Sequence, residues 1–392
     1  MLAALAATAC DALTTAAPEP GDVFDGPLPG LTPAELAAFA RGDAAFERGF
    51  SISEGLGPIF NNVSCASCHS ADGRGRTENA LVRFSIGEDL VPHLGGPQLQ
   101  DKAIPGAEPE RLPPGVHASL RLPPPVFGVG LIEAIPESAI LARADPHDTN
   151  GDGISGRPNM VTPDDFIPIG EPGGGNDPRV GRFGRKAQVS SLLLQTAKAY
   201  QQDIGITNAF LDQENTNPLA SRATEAADRV PDPELPADEL FAVLAYLRTL
   251  AAPAPGPMTA RREEGQALFQ SAGCAACHVP ELRTGSNTIA ALANQPVPLY
   301  SDLLLHDMGD ALADGRPDGQ ATGREWRTAP LWGLRIMRNF LNGDAFLLHD
   351  GRARTVEEAI MLHGGEAQRS RDAFAGMSPA ARAALLDFVE SR

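Results

Sequence analysis

The stretch NNVSCASCHSADGRGR places Cys65 and Cys68 three residues apart, with His69 directly after the second. The pattern returns in AGCAACHVPELRTG as Cys274, Cys277 and His278. Three chemistries use paired cysteines of this kind. A structural zinc site takes four ligands, usually from two such arms in one small domain, and gives no role to a histidine after each pair. A redox dithiol of the thioredoxin type needs a βαβ surround, which the flanking sequence does not suggest. Attachment of c-type haem uses every residue: two thiols form thioethers to the porphyrin vinyl groups, and the histidine becomes an axial ligand of the iron. The two motifs therefore predict two covalently bound haems c, with His69 and His278 on the irons.

Helices must position these motifs. GQALFQSAGCAACH predicts a helix before the second motif, with Gly265 and Phe269 four apart on one face. GLGPIFNNVSCASCH is the expected counterpart before the first. Each motif is also followed, much later, by an amphipathic segment. ADELFAVLAYLRTL (237–250) is apolar at Leu240, Phe241, Leu244 and Leu247. SPAARAALLDFVESR carries Ser378 as an N-cap and Pro379 at the first helical position. AAPAPGPM (251–258) reads as a linker. The expected fold is mainly α: two cytochrome c-like modules, 22–255 and 256–392, with long irregular insertions in the first. Forty glycines and 35 prolines agree with much irregular chain.

A net charge of −18 argues against nucleic acid, since little would neutralise phosphates. It suits a basic soluble partner, such as a small cytochrome or other electron-donor protein. Beyond the N-terminus no run approaches the roughly 18 apolar residues of a membrane span. The opening MLAALAATAC, then TTAAPEPGD, reads as an export leader and linker over residues 1–21, without a basic n-region. Cys10 follows Ala-Thr-Ala, so it is either a lipidation site or part of a discarded signal. The expected location is the periplasm or the outer face of the cell envelope, with any membrane attachment through Cys10.

A second repeat lies inside the modules. RLPPPVFGVGLIEAIPESAI (121–140) parallels RTAPLWGL (327–334) together with FLLHDGRARTVEEAI (346–360). The arginine of each, Arg121 and Arg327, has the planar fork that suits a haem propionate, Arg327 being the firmer candidate. Trp326 and Trp332 lie either between the irons or in the core. In HDGRARTVEEAIMLHGG, Thr355 and Glu358 make a capping box that starts a helix. At about 100° per residue Val356, Ala359, Ile360 and His363 share one face, and Met361 points roughly 140° away from Val356. His363 is thus the expected sixth ligand of the second iron, with Met308 as its competitor and helix capping as its alternative role. Asp148, Asn150 and Asp152, followed by Gly153, resemble the start of a Ca²⁺ loop; the alternative is a plain turn.

These residues together resemble the di-haem oxidoreductase family, a relative of the bacterial di-haem cytochrome c peroxidases and of the enzyme that matures tryptophan tryptophylquinone. The likeness runs through GGPQLQDKAIPG, GLIEAIPE, DTNGDGISGRPN, RFGRKAQ, DIGITN, LYSDLLLHDMGDALADGRPDG, GREWRTAPLWGL and HDGRARTVEEAIMLHGGEA. The resemblance implies an oxidoreductase that passes electrons from a donor through the C-terminal haem to the N-terminal one, where peroxide or a similar oxidant reacts. In those peroxidases a methionine stands where this chain has His363; in the quinone-maturing enzyme a tyrosine does. A peroxidase also needs one open iron and an acid–base group. Aligning ESAILAR on EEAIMLH puts Arg143 where His363 stands, so the first iron is expected to be open. Glu133 is the expected acid–base group, or else a cap of the following turn, and Arg143 the charge stabiliser; Glu137 and Gln98 lie nearby, and His93 is the alternative, a second axial ligand that closes the site. The peroxidases' distal glutamine aligns with Ala139, a departure that sets peroxidase activity against a pure electron carrier with both irons six-coordinate.

Overall fold

The computed structural model describes residues 20–69, 71, 73, 75–221 and 227–392. The leader through residue 19, with Cys10, lies outside them. Helices, in chain order, are α1 (Pro33–Glu47), α2 (Cys65–Cys68), α3 (Val129–Ala134), α4 (Glu137–Leu141), α5 (Leu192–Ala199), α6 (Ala237–Thr249), α7 (Ala260–Ser271), α8 (Leu334–Phe340), α9 (Val356–Met361), α10 (Gln368–Ala375) and α11 (Pro379–Glu390). Helix accounts for 35% and strand for 12%, so helices lead but turns and loops form the larger part. The strands make only two-stranded antiparallel ribbons, among them Leu81–Ser85 with His117–Arg121.

Two helix crossings frame the two cysteine motifs, and they are built alike. α1 starts at a full capping box: the Thr32 hydroxyl accepts from Glu35 N, and the Glu35 carboxylate accepts from Thr32 N. It buries Phe39, Gly42 and Phe46 against α6. A Cβ on Gly42 would lie 2.1 Å from Ala242 O and 2.5 Å from Tyr246 Cβ. α7 crosses α11 in the same way, and a Cβ on Gly265 would lie 2.1 Å from Ala384 O and 2.7 Å from Phe388 Cβ. Only glycine lets the backbones approach so closely. α11 begins as expected, with the Ser378 hydroxyl accepting from Ala381 N. On α6, Leu240, Val243, Leu244 and Leu247 face inward, whereas Phe241 is 46% exposed.

The counterpart of α7 is therefore α1, not the GLGPIF segment. Gly55 and Gly57 take φ of 102° and 115°, and Pro58 follows, so helix cannot form there; Ile59–Phe60 instead pairs with Lys102–Ala103. The linker 251–258 has no regular structure but is tied down at both ends: Ala251 N donates to Gly26 O, and Gly256 N to Ser391 O.

The internal repeat packs against itself. Gly128 and Gly333, with φ of 70° and 80°, open α3 and α8. A Cβ on Gly128 would lie 2.8 Å from the Trp332 ring, and one on Gly333 would lie 2.4 Å from the Phe127 ring. Each half thus receives the other's aromatic side chain. Among the described residues no helix is long and apolar enough to cross a membrane.

Candidate functional site

Each cysteine pair sits on a single tight turn. In the first motif the Ser64 hydroxyl accepts from Ser67 N at 3.1 Å, which starts α2. In the second, Gly273 takes φ of 85° and leads into a 3-10 turn over Cys274–Ala276. His69 N donates to Cys65 O and His278 N to Cys274 O, so the histidine closes the turn that carries the thiols.

The two imidazoles are held identically. His69 Nδ1 lies 2.9 Å from Pro124 O, and His278 Nδ1 lies 2.9 Å from Tyr300 O. A backbone carbonyl at Nδ1 fixes the proton there and leaves Nε2 as the lone-pair donor, the arrangement a metal-ligating histidine needs. Phe46 of α1 and Phe269 of α7 sit 6.2 Å and 6.4 Å from these rings, so the helix crossings orient them. Burial pushes both imidazoles down to about 4, which keeps them neutral at physiological pH.

Each motif opens on a cavity. Cys65, Cys68 and His69 line one of about 560 Å³; Cys274, Cys277 and His278 line one of about 210 Å³. Arg185, Arg327, Ala329 and Pro330 line both, so the short stretch after Trp326 is a shared wall.

Val356, Ala359, Ile360 and His363 all face the second cavity, and Met361 is 44% exposed, as the helical spacing requires. The Thr355 hydroxyl caps α9 by accepting from Glu358 N. The Glu358 carboxylate accepts from Arg354 N, one residue earlier than in a standard box. His363 Nδ1 lies 2.7 Å from Ala359 O, so this ring too has its proton fixed by a backbone carbonyl. Met308 lies in the same wall.

Residues 5–85 and 110–392 match the family described as "Di-haem oxidoreductase, putative peroxidase". The chain belongs to the di-haem oxidoreductase family. Among solved structures it is similar to hydrazine synthase of Kuenenia stuttgartiensis (14% identity, 88% of this chain and 94% of that one, TM-score 0.37). It is also similar to the diheme peroxidase BthA of Burkholderia thailandensis (14%, 96% and 89%, TM-score 0.41). A third is a MauG-like protein associated with microbial copper homeostasis (17%, 68% and 88%, TM-score 0.32). No curated protein matches the chain.

The residues fit the two haems that the family carries. Each cavity offers a thiol pair, an imidazole with its Nδ1 proton engaged, and a largely apolar wall. Arg327 borders both cavities, bonds only to the carbonyls of Gly184 and Thr328, and has no carboxylate within 4 Å among the described residues. Burial pushes it down to about 10, so it remains a cation.

Two further histidine positions, His306 and His349, escape the sequence reading, and the two tryptophans that it names fall one in each cavity wall. His306 lines the second cavity with both ring nitrogens engaged, Nε2 by Asp302 at 2.9 Å and Nδ1 by Glu366 at 2.8 Å. Burial opposes its charge, but Asp302, Cys277 and Glu366 prevail and raise it well above the ordinary imidazole value. His349 stacks on Trp326 with ring centroids 3.8 Å apart, also in the second cavity. Trp332 lines the first.

In the first cavity the structure corrects the sequence reading. Glu133 is buried but lies outside the cavity wall; its carboxylate accepts from Arg248 Nε at 2.6 Å and from Leu192 N at 2.9 Å. It caps α5 and neutralises Arg248, leaving it no acid–base role. Arg143 is exposed beyond α4. The repeat misplaced both because no residue of α4 reaches the wall, which α5 supplies with Leu192, Gln195, Thr196 and Ala199. His93 is exposed and lies outside the wall, whereas Gln98 is in it.

Among the described residues two carboxyls line the first cavity: Asp318, which is taken up by arginines, and Asp203, on a π-type turn at Tyr200–Ile204 that continues α5. Gln98 Nε2 donates to its Oδ1 at 2.6 Å. Burial pushes Asp203 up to about 6, against the pull of Gln98 and Arg83. AYQQDIG gives no sign of this, since the burial comes from residues about a hundred positions away.

In the loop of Asp148, Asn150 and Asp152 the side chains are turned on their own backbone. Asp148 accepts from Gly153 N, Asn150 from Asp152 N and Asp152 from Ile154 N. These are the bonds of an Asx-rich turn.

Proposed function

We propose that this chain is an exported di-haem c oxidoreductase with modules at 22–255 and 256–392. A small soluble donor protein would meet it at the second haem, and a small oxidant such as hydrogen peroxide would be reduced at the first. The observation that carries the reading is an asymmetry of imidazoles. His278 and His363 both face the second cavity with Nδ1 engaged by a carbonyl. Among the described residues His69 is the one imidazole in the first cavity, and Met160 the one thioether. One iron would therefore be held from both sides and the other from one.

Bound through thioethers at the two motifs, the haems supply the one-electron chemistry; the chain supplies binding, orientation and protons. Conversion of one peroxide to two waters takes two electrons and two protons. Asp203 is the group placed to accept the peroxide proton and return it to the departing oxygen, with Gln98 holding its Oδ1 and leaving Oδ2 for substrate. Arg327, at the shared wall, is placed to hold a propionate. The loop of Asp148, Asn150 and Asp152 is the proposed Ca²⁺ position, and Cys10 the proposed lipid anchor.

Cyanide tests the asymmetry. Titrated into the oxidised and the half-reduced protein, it is expected to bind one iron of the two, with high-spin ferric features lost as it binds. If neither form takes it up, both irons are closed and the chain is an electron carrier.

His363 has its own test. His363→Met should raise the potential of the second haem, because a thioether stabilises ferric iron less than an imidazole does. The expected shift is a tenth or more of the roughly 0.8 V that axial ligands span. An unchanged potential and spectrum would assign the iron to another residue, Met308 first, and leave His363 as a helix cap.

A further inference from the structure

A knot of buried charge stands at the rim of the first cavity. The ribbon of Leu81–Ser85 and His117–Arg121 presents Arg83 and Arg121, and the loop at 314–318 folds against it. Three guanidiniums converge on one oxygen: Asp318 Oδ2 lies 2.6 Å from Arg121 Nη1, 2.7 Å from Arg316 Nη1 and 3.8 Å from Arg83 Nε. Behind them Lys186 Nζ pairs with Asp314 Oδ1 at 2.9 Å, and Arg121 Nη2 lies 3.5 Å from Asp314 Oδ2.

Four cations thus meet two carboxylates, and two positive charges remain. Asp203, which faces Arg83 electrostatically, removes at most one of them. All six side chains are deeply placed: Arg316 and Lys186 are fully buried, and Arg83 is the most accessible at 18%. Nitrogens are left over as well as charge. Arg316 Nε and Nη2 and Arg83 Nε are buried and make no hydrogen bond. An excess of buried charge with unused donors is among the costliest arrangements a protein can hold, unless an anion meets it. Burial pushes Arg316 down to about 10, and Arg83 and Arg121 work in the same direction against Asp318. Burial also works to raise Asp318, yet Arg83, Arg121 and Arg316 hold it well below the usual carboxylate range.

The knot faces one way. Arg83, Arg121 and Asp318 line the cavity that holds Cys65, Cys68 and His69, and none of them lines the other. The anion must therefore enter from the first cavity and must bring carboxylate-like oxygens, which guanidinium forks bind in pairs. We propose that Arg83 and Arg121, backed by Arg316 through Asp318, clamp the two propionates of the first haem. The clamp rests on the proposal that a haem is bound at Cys65 and Cys68. Its two carboxylates match the two positive charges that Asp314 and Asp318 leave unbalanced. Arg121, one of the arginines singled out by the internal repeat, is its centre.

The experiment is a redox titration of each haem in the full-length, haem-loaded protein between pH 5 and 9. In the native protein the clamp keeps both propionates ionised, so the potential of the first haem should carry no slope beyond those of Asp203, raised to about 6, and Lys186, lowered to about 8 by burial. Arg83→Met, at the accessible edge, should lower that potential by removing a positive charge, and should add a further pH-dependent slope as a propionate begins to titrate. Asp318→Asn should shift it the opposite way, a sign pair that general loosening of the fold would not produce. Arg83→Lys should restore the native potential in part. The second haem should be unmoved in every variant. If the first haem is present and none of these changes alters its potential, the clamp is wrong while the di-haem reading stands. A native potential that moves with added phosphate at constant ionic strength would mean that the knot takes an anion from solution, which also overturns the clamp. If no haem is attached at Cys65 and Cys68, the underlying reading fails.

Discussion

Replacing Cys274 and Cys277 together by alanine is expected to leave a protein with one covalent haem per chain in place of the two proposed, and the same is expected for Cys65 and Cys68. The two thiol pairs serve separate cavities, and each imidazole is fixed by a carbonyl of its own half, Pro124 for His69 and Tyr300 for His278. Nothing in either turn depends on the other. The losses should therefore be independent, and acid–acetone extraction followed by a haem count would show half the native pigment in each double variant. Loss of both haems from either variant would mean that the cavities form only as a pair. A native preparation that holds zinc and shows no Soret band would end the di-haem c proposal altogether.

Asp203→Asn is expected to cut peroxide turnover by about a hundredfold, within the range that one positioned acid–base group supplies. The carboxyl acts first as a base, so it must be ionised. Its value is raised to about 6, hence turnover should climb as pH passes upward through that region and level off above it. Asparagine keeps the size and the bond to Gln98 but cannot carry the proton, so the climb should vanish with the rate. Cyanide affinity should change far less, because binding a small ligand does not require that proton. A variant that keeps the native rate and pH profile would remove Asp203 from the chemistry. A variant that loses cyanide binding and turnover alike would make it a packing residue.

What could be read from the chain follows the range of the interactions. The haem motifs were plain because thiols at i and i+3 and the next imidazole act within a single turn. His363 was placed correctly in a cavity wall because a capping residue and the helical period fix a face without outside help. α1 carries an equally local signal, Thr32-Pro33-Ala34-Glu35, but it lies farther from the motif than GLGPIF does. Glu133 and Arg143 were misplaced for another reason. Their assignment assumed that the two halves place matching residues alike, whereas the start of α5 and Arg248 claim the Glu133 carboxylate. Asp203 and the arginine knot were beyond reach in principle. Their character comes from burial among partners as far as 197 residues away, as between Arg121 and Asp318.

The exchange of aromatics across the repeat limits how such a chain can change. Phe127 fills the space above Gly333 and Trp332 the space above Gly128, so each half is the mould of the other. Bulk gained on one side must be surrendered on the opposite side, and the two positions have to be inherited as a set. A chimera that joined the first half of this protein to the second half of a distant relative would keep both haem motifs intact. It would still meet a misfit at this seam, far from either motif, where neither parent sequence alone looks defective.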